Sequence, residues 1–185
     1  MKLKIYTRVG DKGQTKQVTG HMVPKYDLQI ETLGQIDELE SWLGVTCASL
    51  SIKNKQLEPN IKHLQRKLYE LQADIAIKRH HNIQDKDVDI LEKKIDELNN
   101  ETPEIKAFIL PGGQQTGANL QYARTLARKA ERTAAKLNDT QQTLAESELK
   151  FMNRLSDYLF VLARYANFMD GYEDVCAKSK NSFNK

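Results

Sequence analysis

Five stretches of the chain repeat apolar residues every three or four positions, the spacing that places side chains along one face of an α-helix. These stretches cover residues 30–49, 57–75, 88–98, 115–137 and 144–168. Runs in which β-branched residues alternate with polar ones, the pattern of a strand, are scarce. The pattern therefore predicts an all-α protein, a bundle of about five helices.

The first 25 residues lack the helical spacing and contain a glycine-rich turn instead. Gly10 and Gly13 flank Asp11 and Lys12, and glycine readily adopts the positive φ angles that tight turns need. A chain of 185 residues fits one domain. We predict an N-terminal arm over residues 1–25, the helical bundle over residues 26–170, and a C-terminal tail over residues 171–185.

The composition excludes several classes of protein. The chain carries 28 Lys and Arg against 25 Asp and Glu, and a formal net charge of +3 does not indicate a nucleic-acid binder. Its apolar runs are far shorter than the ~20 residues of a membrane span. No apolar segment follows the first residues, so we expect a cytoplasmic protein. Cys47 and Cys176 lie far apart with no CxxC motif, which argues against a disulfide or a zinc site.

Basic residues are concentrated in two short segments. Residues 1–16 carry five Lys or Arg against one acid, and residues 121–136 also carry five against one. Arg124, Arg128 and Arg132 recur every four residues and therefore line one stripe of a helix, where like charges repel. Two interpretations stay open, a solvated face with acids opposite it or a binding site for an anion such as phosphate.

The glycine turn has the composition of an anion-binding loop without matching a known phosphate motif. Two residues separate Gly10 from Gly13, whereas a Walker A motif needs four, followed directly by Lys and Ser or Thr. Backbone N–H groups of such a turn can still converge on an anion, with Arg8, Lys12 and Thr15 as further donors. An ordinary surface turn is the alternative.

Other catalytic signatures are missing from the sequence. The four histidines lack metal-ligand spacing, and no Glu-x-x-His motif indicates a di-iron bundle. The sequence has no GxSxG motif, and neither cysteine has a recognisable activating neighbour. A covalent nucleophile is therefore not predicted.

Five motifs in a fixed order resemble a known enzyme family. They are YTRVGDKGQT at residues 6–15, GQIDEL at 34–39, FILPGG at 108–113, ARTLARKAER at 123–132, and NRLSDYLF with ARYAN between 153 and 167. Together they resemble the propanediol-utilisation-type ATP:cob(I)alamin adenosyltransferases, over residues 4–168. The resemblance implies a five-helix, homotrimeric bundle that binds ATP and the corrinoid where subunits meet. It also implies transfer of the 5′-deoxyadenosyl group of ATP to cobalt, with release of triphosphate.

The resemblance also implies roles for individual residues. The expected ATP-binding residues are Thr7, Arg8, Val9, Gly10, Lys12, Gly13, Thr15, Lys16 and Lys25 in the arm, and Arg128, Glu131, Arg132 and Asn153 on the helices. Asp37 and Arg124 resemble a pair that bridges two subunits. Phe108 resembles the aromatic residue that closes the corrin pocket on the lower face of cobalt. The expected catalytic set is Arg128, Phe108, Asp37 and Arg124.

Cofactors and partners follow from the same resemblance. ATP and cob(I)alamin are the expected substrates, Mg²⁺ is expected on the ATP phosphates and not on protein side chains, and K⁺ is a further expected cation. The expected partners are a second and third copy of the chain, a cob(II)alamin reductase and an adenosylcobalamin-dependent enzyme. Neither nucleic acid nor a membrane is expected as a partner.

The chain departs from the family pattern at three places. Lys129 stands where the family usually has an arginine, and lysine keeps the charge but loses the bidentate fork. Gln29 stands where many members have arginine, and residues 17–20 replace a more apolar stretch. These departures bear on nucleotide affinity more than on the class of reaction.

Rival interpretations of the sequence are a non-catalytic corrinoid carrier and a helical scaffold. A carrier would hand over adenosylcobalamin without nucleotide turnover, and calorimetric titration with ATP separates it from the enzyme. In a scaffold, the arginine stripe would pair with acids of a neighbouring subunit. For Phe108, the alternative is a core phenylalanine that precedes a turn.

Overall fold

The computed structural model describes residues 5–178. Within them the chain forms five α-helices, as the apolar spacing predicts. They are α1 (Leu28–Ala48), α2 (Glu58–Ala76), α3 (Asp85–Glu101), α4 (Gln115–Thr140) and α5 (Glu146–Met169), with a short 3₁₀ helix at Ile52–Leu57 between α1 and α2. The all-α, five-helix prediction is confirmed.

The arm contains a β-hairpin that the apolar pattern does not predict. Strand β1 (Gln14–Lys16) pairs antiparallel with β2 (Met22–Pro24), with Thr15 opposite Val23. The turn between the strands is closed by the backbone bonds from Gln17 N to His21 O and from Gly20 N to Gln17 O, both 2.9 Å. Strands of three residues are too short to show an alternation of apolar and polar positions. This explains why the sequence indicates only a turn there.

The core is formed by the apolar faces of the helices. Helix α4 packs against α1 and α5, α2 packs against α1, and α3 packs against α5. Fully buried side chains include Ile36, Leu43, Leu71, Leu120 and Phe151. A row of buried alanines, Ala123, Ala127, Ala130 and Ala134, lets neighbouring helices approach α4 closely. The other side of α4 is therefore free to present the arginine stripe.

Contacts along α1 and α4 fix the relative position of the two antiparallel helices. Glu38 Oε2 and Lys129 Nζ form an ion pair of 2.7 Å, and Thr133 Oγ1 donates to Gln35 Oε1 at 2.8 Å. Beyond the end of α4, Gln141 Nε2 donates to Asp27 Oδ2 at 2.8 Å. The base of the arm therefore lies at the carboxyl end of α4.

No helix within residues 5–178 is long and apolar enough to cross a membrane.

Candidate nucleotide and corrinoid site

The glycine turn of the arm is folded by backbone hydrogen bonds into consecutive turns. Arg8 has a φ of 62°, which is uncommon for a residue with a side chain. Asp11 N donates to Arg8 O at 3.4 Å, and Gly13 N donates to Gly10 O at 3.3 Å. Gly13, at a φ of 79°, supplies a second left-handed position. Backbone outliers of this kind cluster at functional sites, and residues 11–14 of the turn are exposed to solvent.

The structure brings several of the predicted arm residues together. Lys25 N donates to Gly13 O at 3.0 Å, so the residue after β2 closes on the glycine turn. A Cβ atom on Gly10 would lie 3.3 Å from Lys25 Cε and 3.4 Å from Lys25 Nζ. The Lys25 ammonium group thus lies directly over the backbone of Gly10, where a side chain would crowd it. This places one lysine charge against the turn, in which Lys12 is exposed to solvent.

Among residues 5–178, the arginine stripe has no carboxylate partner. Arg124 Nε donates to Gln121 Oε1 at 3.0 Å, and partial burial, together with the neighbouring charge of Arg128, lowers the pKa of Arg124. The exposed side chains of Arg128 and Arg132 form no ion pair or hydrogen bond with any residue in the range 5–178. Of the two interpretations that the sequence leaves open, acids opposite the stripe are not found among the described residues of one protomer. An anion would relieve the repulsion among the three guanidinium groups.

Two other predicted ATP-binding residues contact each other beside the stripe. Asn153 Nδ2, on α5, donates to Glu131 Oε1, on α4, at 2.9 Å. Glu131 lies one helical turn from Arg128 and next to Arg132. The packing of α4 against α5 therefore gathers the four helix residues that we predict for ATP binding.

Phe108 is exposed, so the alternative of a core phenylalanine is wrong. Its relative accessibility is 89%. It borders a cleft of about 870 Å³ that also contains Arg124 and Phe160. The cleft walls further include Ile105, Ile109, Pro111, Ala177 and Lys178. Sequence reasoning did not place Phe160 or residues 177–178 beside Phe108, because apolar spacing alone does not distinguish a cleft wall from the core.

The backbone of Phe108 is hydrogen-bonded to a neighbouring segment, although the Phe108 ring is exposed. Ala177 N donates to Phe108 O at 2.7 Å, and Leu110 N donates to Val175 O at 2.8 Å, around an antiparallel bridge of Ile109 with Cys176. Part of the segment that we predicted as a C-terminal tail therefore supports the Phe108 loop.

Two polar residues of α5 hold both ends of the Phe108 loop. Buried Arg164 donates from Nε to Asp174 Oδ2 at 2.7 Å and from Nη2 to Pro103 O at 2.6 Å. Buried Asn167 donates from Nδ2 to Gly112 O at 3.0 Å and accepts from Gln114 N at 3.1 Å. The exposed aromatic ring of Phe108 is thus carried on a loop that hydrogen bonds hold at both ends.

Gly117 makes room for the Asn167 side chain, which predicts the effect of a substitution. A Cβ atom at position 117 would overlap the amide of Asn167. We expect Gly117→Ala to lower the free energy of unfolding by about 1–3 kcal/mol, the usual cost of overpacking. Urea unfolding measures it. Gly44→Ala is the matched control, because its new Cβ would lie an ordinary 3.5 Å from Gln65 Nε2. Equal stability of the Gly117→Ala and Gly44→Ala variants would contradict the packing described here.

A single protomer does not bring all predicted residues together. Asp37 is exposed, and no hydrogen bond or ion pair joins it to Arg124 among the described residues. Glu38 lies level with Lys129 on an antiparallel helix, so Arg124 is displaced from Asp37 by roughly 9 Å along the helix axis. Arg128 lies roughly 20 Å along α4 from Gln141, which contacts the base of the arm. The predicted Asp37–Arg124 pair is thus absent within one chain.

Lys129, one of the departures from the family pattern, faces α1. Its ion pair with Glu38 raises the pKa of the lysine. The effect of this lysine on nucleotide affinity stays a prediction. Within residues 5–178, no group of three or more His, Cys, Asp or Glu side chains is placed to hold a metal ion.

Comparisons with known proteins place the chain in a family. The family profile described as cobalamin adenosyltransferase matches residues 5–166. A corrinoid adenosyltransferase of Bacillus subtilis (strain 168) is 39% identical over 178 residues, covering 94% of this chain and 91% of that protein. The mouse corrinoid adenosyltransferase MMAB is 36% identical, covering 92% of this chain and 76% of that protein.

The structural comparison gives the same result. A phenylalanine-to-alanine variant of a PduO-type ATP:corrinoid adenosyltransferase from Lactobacillus reuteri, complexed with cobalamin and ATP, superposes with a TM-score of 0.91. The two are 35% identical, and the match covers 95% of this chain and 100% of that chain. On sequence and fold together, this chain belongs to the cobalamin adenosyltransferase family.

Proposed function

We infer that this protein transfers the 5′-deoxyadenosyl group of ATP to the cobalt of cob(I)alamin and releases triphosphate. The observation that carries the inference is the arginine stripe, whose Arg128 and Arg132 lack protein partners within the described chain and which runs into the cleft beside Phe108. The stripe suits a polyanion, and the apolar cleft suits a flat, largely apolar ring system. The names of the relatives support the same activity.

The transfer needs no base from the protein. The electron pair of Co(I) forms the bond to C5′ of ATP, the bond from C5′ to the phosphate oxygen breaks, and its electron pair leaves with triphosphate. The chain must therefore hold C5′ over cobalt and stabilise the negative charge that grows on the leaving group. Arg128, Arg132 and Lys12 are the cations that we assign to this stabilisation, with Lys25 holding the nucleotide from the arm.

The remaining arm residues are assigned to ATP binding by the same proposal. Thr7, Arg8, Val9 and Gly10 would contact the triphosphate through the turn, and Gly13, Thr15 and Lys16 through the start of the hairpin. The convergence of Lys25 on the Gly10 backbone supports this assignment. Mg²⁺ would bind the phosphate oxygens of ATP and offset their charge. No step depends on a protein-bound metal or on K⁺.

Phe108 is assigned to the corrinoid. Its exposed ring, on a backbone held by residues 175–177, would occupy the lower face of cobalt and expel the water or base bound there. Cob(II)alamin without a lower ligand is easier to reduce to the nucleophilic Co(I) state. Phe160, in the same cleft, adds a second apolar surface for the corrin.

The active form is proposed to be a homotrimer with its sites between subunits. Support comes from the protomer itself, in which Asp37 and Arg124 are exposed or half-buried and do not meet. Across an interface of neighbouring copies, Asp37 of one chain would pair with Arg124 of the next. The arm of one chain would share ATP with the stripe of another. A reductase that supplies Co(I), a recipient enzyme for adenosylcobalamin, and a cytoplasmic location complete the proposal.

Subunit mixing tests the shared site. Lys12→Ala and Arg128→Ala chains are each expected to be inactive, because each lacks one half of the ATP site. Trimers that contain both variants can be isolated through two different tags and should regain about one working site in three. In such a ring, one interface joins the intact arm of an Arg128→Ala chain to the intact stripe of a Lys12→Ala chain. Adenosylcobalamin formation measures the recovery. Mixed trimers without activity would place the whole site within one protomer.

Product analysis tests the reaction itself. With chemically reduced cob(I)alamin, ATP and Mg²⁺, we expect equal amounts of adenosylcobalamin and triphosphate, separated by anion-exchange chromatography. Release of ADP with phosphate, or of AMP with pyrophosphate, would refute the bond cleavage proposed here. ATP that binds in calorimetry but is never consumed would favour a carrier.

A further inference from the structure

Three glutamine side chains connect the arm to the bundle, and we propose that they position the arm for ATP. Gln17, Gln29 and Gln142 form this chain of amides, called the amide relay below. The proposal rests on the assignment of the arm as part of the ATP site. It assigns these glutamines as positioning residues, which act through the arm and do not touch the nucleotide.

The relay is continuous from the hairpin to the end of α2. Gln17 Nε2, at the hairpin turn, donates to Gln29 Oε1 at 2.9 Å. Gln29 Nε2 donates to Gln142 Oε1 at 2.6 Å and to the backbone oxygen of Ile75 at 3.0 Å. Gln142 Nε2 donates to the same Ile75 oxygen at 2.8 Å. Every polar atom of the Gln29 amide is thus bonded, in a side chain that is only 9% exposed.

The Ile75 carbonyl fixes the direction of every bond in the relay. A backbone oxygen can only accept, so both amides that face it must turn their NH₂ groups toward it. The oxygen of Gln142 then faces Gln29, and the oxygen of Gln29 faces Gln17. Gln17 must therefore donate. Ile75 lies in the last turn of α2, where backbone carbonyls lack hydrogen-bond donors from the helix itself. The Gln29 and Gln142 amides supply donors to this carbonyl.

The position of Gln17 lets it control the arm. Its backbone N–H and C=O both bond within the hairpin turn, to His21 O and from Gly20 N. The paired strands β1 and β2 lead from this turn to Gly13 and Lys25. A two-stranded hairpin is marginally stable alone, so its direction depends on what it is attached to. A shift at Gln17 would move the glycine turn and the Lys25 ammonium group together.

The fixed donor-to-acceptor direction of the relay allows a specific test. Gln17→Glu is nearly isosteric but places an acceptor against the Gln29 oxygen, whereas Gln17→Met only removes the donor. We expect the KM for ATP to rise about fivefold in Gln17→Met, the effect of one ordinary hydrogen bond, and about tenfold or more in Gln17→Glu. The kcat and the KM for cob(I)alamin should stay unchanged. Gln65→Met is the matched control, because Gln65 Nε2 bonds the Glu40 backbone oxygen between α1 and α2, away from the arm.

A second readout needs no ligand. Hydrogen exchange of the hairpin amides, including those of Gln17 and Lys25, should quicken several-fold in Gln17→Glu and stay unchanged in Gln65→Met. A space-filling role would make Gln17→Glu and Gln17→Met alike, and equal KM values for ATP in both would overturn the relay. Faster exchange without a change in the KM for ATP would also overturn its positioning role. If the wild-type chain shows no adenosyl transfer, the proposed function fails instead, independently of any variant.

Discussion

Arg128→Ala is expected to lower the rate of adenosyl transfer by roughly 10²-fold or more while the protein stays folded. The loss follows from removing one fixed cation that faces the charge developing on the leaving triphosphate. The fold should be unaffected, because the Arg128 side chain is exposed and bonds no other described residue. Substitutions at such surface positions usually change the free energy of unfolding by no more than about 0.5 kcal/mol.

Two variants make the Arg128 experiment specific. Arg66→Ala is the matched control, because Arg66 is also exposed, on α2, without an ion pair among the described residues. It should keep full activity. Arg128→Lys should lie between the wild type and Arg128→Ala, since it keeps the charge and loses the bidentate fork. Initial rates at saturating ATP measure the activity of each variant, and circular dichroism shows whether it is folded. A folded Arg128→Ala protein with near-normal rates would remove Arg128 from the site.

Phe108→Ala should separate the reduction of cobalt from the transfer to it. When the reaction starts from cob(II)alamin and a reductant, we expect the rate to fall at least about tenfold, which is about 1.4 kcal/mol of barrier. When chemically reduced cob(I)alamin is supplied, the loss should be much smaller, because the lower ligand no longer has to be expelled. The ring is almost fully exposed and contributes little to the core, so stability should not change.

The control for Phe108→Ala is a second exposed aromatic residue. Tyr69, on α2, is 70% exposed and lies away from the cleft, so Tyr69→Ala should leave both reactions intact. The visible spectrum of bound cob(II)alamin provides a direct readout, since loss of the lower ligand shifts its bands. If Phe108→Ala slows both reactions equally, the aromatic ring serves corrinoid binding in general and not ligand expulsion.

The helices are predictable from the sequence because their apolar faces repeat through many turns. The alanines at positions 123, 127, 130 and 134 even indicate which side of α4 is buried. The hairpin is not predictable in this way, since its strands have three residues each. The ion pair of Lys129 with Glu38 and the pairing of residues 175–177 with the Phe108 loop depend on tertiary contacts, which no local pattern encodes.

The sequence likewise predicts some features of the candidate site, whereas others are shown only by the structure. Arginines four residues apart predict a stripe, but only the structure shows that Arg128 and Arg132 have no acids opposite them in the described chain. An apolar residue before a Pro-Gly-Gly turn is usually a core residue, and only the structure shows that Phe108 is exposed. Gln17 and Gln29 look like isolated departures in the sequence, and in the structure they contact each other.

The most direct test of the central claim is an anaerobic absorption spectrum. The protein is mixed with chemically reduced cob(I)alamin, ATP and Mg²⁺, and the Co(I) band is followed against the rise of the alkyl-cobalt spectrum. The proposed function predicts that the alkyl-cobalt spectrum grows only when both ATP and the protein are present. A Co(I) band that persists with ATP and protein, while calorimetry shows ATP bound, would contradict the transfer and favour a carrier.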